Sequence, residues 1–121
     1  MSRVKLIVGN WKLNGSLAKT TALLSALTDV PAVKIVVAPP AVYLASSYAQ
    51  LTDSPIELAA QNVAAEAQYG AYTGENSALM LAELGAKYVI VGHSERRQHY
   101  GETDDMVAKK CLRLQEVGLK P

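Results

Sequence analysis

Four apolar runs rich in β-branched residues recur along the chain, at positions 4–8, 33–37, 56–60 and 88–91. They are nearly continuous rather than alternating, the pattern of strands covered on both faces. Polar stretches with helical spacing separate them. Ser16 is placed to cap a first helix carrying Leu17, Leu24 and Leu27 on one stripe. A second helix is expected over 42–51, after Pro39-Pro40, and a third over 77–84, ended by Gly85. The clearest follows Thr103: Asp104 and Asp105 suit its positive end, and Val107, Cys111 and Leu114 stand at i, i+4 and i+7. Asp105 and Lys109 are spaced for an exposed ion pair, Gly118 closes the helix, and Lys120-Pro121 reads as the first step of another strand. Strand–helix alternation, repeated four times at a period of about 30 residues, predicts an α/β fold built from βαβ units with a parallel sheet. Right-handed crossovers place successive strands side by side in chain order. With no linker or low-complexity stretch, residues 1–121 read as one domain. Two closures fit the pattern: an open doubly wound sheet, or an arc cut from an eight-stranded barrel.

Composition narrows the classes of function. Half of the 121 residues are hydrophobic and 19% are charged, which fits a globular chain and excludes disorder. Twelve basic residues stand against eleven acidic ones, so no broad attraction to nucleic acid or to an anionic membrane is expected. Anion binding must come from local placement of Lys or Arg. The single Cys111 excludes an internal disulfide and fits a reducing cytoplasm. No apolar run approaches the ~18 residues of a membrane span, and no signal peptide opens the chain. Asn14-Gly15-Ser16 matches a glycosylation triplet, which without export is read as chance.

Two segments put reactive side chains just past a strand. Lys12 follows Gly9-Asn10-Trp11 at the mouth of the sheet and offers a compact cation to a phosphate or an oxyanion. Asn10 either donates a hydrogen bond to substrate or fixes Lys12, and Trp11 packs in the core. His93 emerges at the end of the fourth strand, where Ser94-Glu95-Arg96-Arg97 begins a short helix. A helix N-terminus disfavours the imidazolium, so a neutral ring there can donate to a carbonyl. Strands one and four lie about 14 Å apart along a flat sheet, and curling the sheet brings Lys12 and His93 to one small ligand. Glu95, the nearest carboxylate, either belongs to the site or neutralises Lys12 and Arg96. Glu102 and Arg97 are expected in stabilising ion pairs, and His99, Tyr100 and Cys111 at the surface or in packing. No dinucleotide or Walker glycine loop, HExxH or CxxC pair is present, which argues against nucleotide, zinc and iron–sulfur readings.

Gly9-Asn10-Trp11-Lys12-Leu13-Asn14-Gly15 and Ile90-Val91-Gly92-His93-Ser94-Glu95-Arg96-Arg97 resemble the first and fourth active-site loops of the triosephosphate isomerase family. The resemblance runs from residue 4 to the last residue and covers only the first half of that family's pattern. It implies a parallel (β/α)4 half of a TIM (β/α)8 barrel that works without a cofactor. By this likeness Asn10 and Lys12 bind a small phosphorylated triose, and Lys12 stabilises negative charge. His93 polarises the carbonyl and shuttles protons, the neutral histidine for which this family is the well-known case. Glu95 joins these two as a catalytic residue. Gly70-Ala71-Tyr72-Thr73-Gly74-Glu75, within a long loop over 61–75, resembles the family's interdigitating third loop. That implies a homodimer in which Thr73 buttresses Asn10 and Lys12 of a partner chain, with Asn14 also at the subunit contact.

The family draws its carboxylate base, lid and phosphate cradle from its second half, and none of these maps here. The chain by itself is therefore expected to isomerise poorly or not at all. Strands one and four are expected as open edges that invite the C-terminal half-barrel or a second copy. Two other readings compete: a non-catalytic fragment that self-associates or complements, and a small flavodoxin-like binding module. The missing glycine loop and the Lys12/His93 pair count against the module.

Overall fold

Strand and helix alternate throughout the computed structural model, which describes residues 3–28 and 30–121. The order is β1 (Lys5–Asn10), α1 (Leu17–Ala26), β2 (Val33–Ala38), a 3₁₀ turn (Ala41–Tyr43), α2 (Leu44–Gln50), β3 (Glu57–Ala60), α3 (Ala78–Glu83), β4 (Ala86–Val89), α4 (Ser94–Tyr100) and α5 (Asp104–Glu116). The fold is α/β, in the (β/α)4 order of half a TIM barrel. The chain forms two compact units, Met1–Gln61 and Asn62–Pro121.

In the first unit β1, β2 and β3 pair in parallel and in chain order, with Asn10 beside Ala38 and Val37 beside Leu58. The continuous apolar runs are explained in β2 and β3: Val36, Val37, Ala38, Leu58, Ala59 and Ala60 are all buried. β1 departs from that expectation, with Leu6 47% and Ile7 58% exposed. Ser16 caps α1 by accepting Lys19 N–H at 3.1 Å. Only the middle turn of α1 is covered, through Thr20 and Leu24. Leu17 and Leu27, expected on the buried stripe, are exposed because they stand at the helix's first residue and at its C-cap. The helix expected over 42–51 is entered through the 3₁₀ turn after Pro40 and becomes α-helical only at Leu44.

In the second unit Ser77 caps α3 by accepting Met80 N–H, and Gly85 (φ +89°) ends it. β4 begins and ends two residues earlier than the pattern predicts. Its ladder bonds run through Val89 N–H to Lys120 O and Lys120 N–H to Lys87 O, so Ile90 and Val91 lead into the next loop. The single parallel bridge Tyr88–Lys120 is the expected first step of a further strand. It also corrects the picture of strand four as a wholly open edge. Thr103 caps α5 as expected, accepting Met106 N–H at 3.3 Å. Asp105 and Lys109 do not pair; among the described residues the ion pairs on α5 include Arg97–Asp104 and Arg113–Glu116, each at 2.9 Å. Gln68 ties the long loop down, accepting Leu79 N–H and donating to Arg113 O.

Candidate active site

Asn10 is the last residue of β1, and the loop beyond it is held by side-chain amides rather than by a ladder. Trp11 N–H still reaches Ala38 O, at 3.1 Å. Asn10 Oδ1 then accepts Lys12 N–H at 3.0 Å, and Asn14 Nδ2 donates to Trp11 O at 3.0 Å. The first bond holds the Lys12 backbone beside Asn10. Lys12 has φ +55°, on the left-handed side that non-glycine residues seldom occupy. Such a conformation persists only where its surroundings over-determine it. Here both sides of the residue are held: Gln61 Nε2 donates to Lys12 O at 2.9 Å and to Ala38 O at 2.8 Å. The Lys12 side chain is exposed at the strand mouth.

Gln61 is a site residue that sequence reasoning passed over as the start of a loop. Its one signal was position, a polar amide directly after the buried Leu58-Ala59-Ala60. Gln61→Glu removes both donors while keeping the shape, and turns a carboxylate toward two carbonyl oxygens. A loss of about 1–3 kcal/mol is expected at neutral pH. Part of it should return on acidification, because a protonated carboxyl regains one donor. Urea unfolding as a function of pH checks this, and an unchanged midpoint would remove Gln61 from the loop's support.

His93 is the N-cap of α4, and its Nδ1 accepts Glu95 N–H at 3.0 Å. A nitrogen that accepts a backbone N–H carries a lone pair, so the ring proton of the neutral imidazole sits on Nε2. Glu95 Oε2 lies 3.9 Å from Nδ1. With that nitrogen already an acceptor, the approach is not an ion pair. The side chain is 27% exposed, leaving Nε2–H as a donor for an incoming oxygen.

The turn before His93 is anchored by a buried charge cluster. Glu102 is 4% exposed; its Oε1 accepts Gly92 N–H at 3.1 Å and meets Lys110 Nζ at 3.2 Å, while Oε2 accepts Arg96 Nε at 2.8 Å. Lys110 Nζ also donates to Asn62 Oδ1 at 2.7 Å. Burial pushes the Glu102 carboxyl up, but the Gly92 amide, Lys110 and Arg96 together outweigh it and hold the group below the usual carboxylate range. The expected Glu102 pairing is thus present. The proposed Glu95–Arg96 neutralisation is corrected, since the guanidinium turns to Glu102 and stacks 4.8 Å over the Tyr100 ring. Lys110 went unnoticed in the sequence, although it lies on the apolar stripe of α5, three residues from Val107 and four from Leu114.

The named residues therefore fall into two groups. Asn10, Lys12 and Asn14 belong to the first unit; His93, Glu95 and Thr73 belong to the second. Thr73 lies in an exposed stretch with Tyr69 and Tyr72. Among the described residues no helix is long and apolar enough to cross a membrane.

Comparison with known proteins identifies relatives along the whole length. The family model described as Triosephosphate isomerase matches residues 5–121. Triosephosphate isomerase of Paracidovorax citrulli (strain AAC00-1) is 50% identical over 127 residues, covering 100% of this chain and 50% of that protein. That of Histophilus somni (strain 2336) is 48% identical, covering 100% and 49%; that of Delftia acidovorans (strain DSM 14801 / SPH-1) is 51% identical, covering 97% and 48%. The chain spans about half the length of the curated relatives it matches.

Proposed function

Because the chain belongs to the triosephosphate isomerase family, we propose that it is the N-terminal half of such an isomerase, a single half-barrel domain interconverting dihydroxyacetone phosphate and D-glyceraldehyde 3-phosphate. The single observation that carries this reading is the bond from Glu95 N–H to His93 Nδ1. It commits the imidazole to donating through Nε2, the role needed to polarise a carbonyl and pass a proton between neighbouring oxygens. Lys12 supplies positive charge to the phosphate and to the enediolate oxygen. Asn10 binds substrate with Lys12, and Glu95 completes the catalytic set. The reaction moves protons without net oxidation, so no cofactor takes part. In this reading the base that removes the carbon-bound proton, the lid and the phosphate cradle belong to the other half. The enzyme works in the cytoplasm as a homodimer, with Thr73 and Asn14 at the subunit contact.

One observation favours a second reading, a non-catalytic fragment whose property is self-association or complementation. The apolar side chains of β1 stand exposed, Leu6 at 47% and Ile7 at 58%. Mixing the chain with the remaining half of the Paracidovorax citrulli relative separates the two. Turnover by the mixture about 10²-fold or more above that of the chain by itself supports the isomerase reading. Tight association without turnover supports the second, and full turnover by the unmixed chain would overturn the proposed dependence on another half.

A further inference from the structure

The buried cluster of the second unit ends on the peptide that precedes His93. Gly92, at φ +66°, is gripped from three directions. Its N–H donates to Glu102 Oε1 at 3.1 Å, its carbonyl accepts Arg97 Nε at 3.3 Å, and Val107 Cγ2 lies 3.2 Å from where a β-carbon would stand. The next residue carries the imidazole, whose Nδ1 must meet Glu95 N–H two positions on. A small rotation of the Gly92 peptide would swing the ring away from that amide and free Nδ1 to be protonated instead.

We infer that Glu102 and Lys110 are positioning residues for His93: together they fix the Gly92 peptide and so hold the imidazole in its single Nε2–H tautomer. Glu102 alone would not suffice. Its Oε1 is shared between Gly92 N–H and Lys110 Nζ, and Lys110 is tethered in turn to Asn62 Oδ1, so the carboxylate is located from both sides. A charged acceptor also binds a backbone N–H more strongly than a neutral amide oxygen does. The inference rests on the reading of His93 as the group that polarises the carbonyl, yet its test needs no turnover.

The ring nitrogens of His93 are recorded by long-range proton–nitrogen correlation above the imidazole titration, at about pH 8. Spectra are taken on the chain and on its mixture with the complementing half. His99, exposed on the same helix and edge-on to the Tyr100 ring, is the internal reference for an imidazole outside the cluster. The parent is expected to show one tautomer. Glu102→Gln and Lys110→Gln are each expected to bring up the Nδ1–H form and to move the His93 pattern toward that of His99. Leu81→Ala, which weakens the core under α3 without touching any of the cluster's hydrogen bonds, is the control and should leave His93 as in the parent. Folded Glu102→Gln and Lys110→Gln chains with unchanged ring signals would overturn the inference, as would an equal change in Leu81→Ala. If Glu102→Gln does not fold, Lys110→Gln, which keeps the Glu102–Arg96 pair, decides the matter. A failed isomerase reading would appear instead as absent turnover with the tautomer pattern intact.

Discussion

In the mixture of this chain with a complementing half, His93→Gln is expected to lower kcat by about 10²–10⁴-fold, with KM nearly unchanged. Glutamine can still offer an N–H to the carbonyl, so substrate binding survives. It cannot take up and return a proton, so the term for proton transfer between the two oxygens is lost. Lys12→Met should behave differently. The substitution keeps an unbranched stem of similar reach and deletes the charge, which in the proposed reading acts on the phosphate of the bound ground state and on the enediolate alike. KM should therefore rise together with a fall in kcat of about 10²–10³-fold, the scale of losing one preorganised oxyanion donor. Lys12→Arg should not restore the rate, because a planar fork does not replace a compact ammonium. Steady-state kinetics on the three variants separates these effects. A His93→Gln enzyme within tenfold of the parent would remove His93 from the chemistry.

The largest effect on stability is expected at Glu102. Glu102→Leu leaves Lys110, with its side chain only 4% exposed, holding a buried positive charge whose remaining bonded partner is Asn62. Breaking one side of a buried pair costs about 3–5 kcal/mol, a large share of the ~5–15 kcal/mol that holds a typical domain. Lys110→Met should cost less, about 1–3 kcal/mol, since Glu102 retains Arg96 and the Gly92 amide. The double variant should lose less than the two singles combined, because no orphaned charge remains opposite a missing partner.

Acidity supplies an independent signature. Glu102 titrates below its ordinary value of 4.5 in the folded chain. A lowered folded value means the contribution is complete above the unfolded value and is lost as pH falls through the folded one. The parent should thus lose stability as the pH drops below about 4.5, and Glu102→Leu should lose less over the same range. Urea unfolding of the set, at neutral and at acid pH, measures both effects. A single variant no worse than an ordinary surface substitution would sink the account.

The parts of the fold legible in the sequence are those whose cause is local. Thr103 and Ser16 cap their helices because a hydroxyl at that spacing meets an orphan amide whatever surrounds it. Gly85 marks the end of α3 for the same kind of reason. The runs at 33–37 and 56–60 became strands buried toward their C-terminal ends, while the run at 4–8 is equally apolar and stands exposed, because cover depends on what packs against it. The two-residue displacement of β4 likewise reflects a partner, Lys120, that lies far along the chain.

The candidate site divides in the same way. Lys12 and His93 were legible as candidates because each stands in a short loop of distinctive wording. Gln61 was not, since its acceptors lie 49 and 23 residues away and a glutamine carries no mark of them. Lys110 is intermediate: its partner Asn62 is 48 residues distant, but a charge on the apolar stripe of α5 was visible all along.

Residue 12 sets foldability against chemistry. Its backbone occupies a region that disfavours every side chain bearing a β-carbon by about 1–2 kcal/mol, and glycine would relax it at once. A redesign that ranked substitutions by thermostability alone would therefore choose glycine there and erase the ammonium. Attempts to toughen this protein should begin elsewhere, because the role proposed for Lys12 needs the charge that glycine would remove.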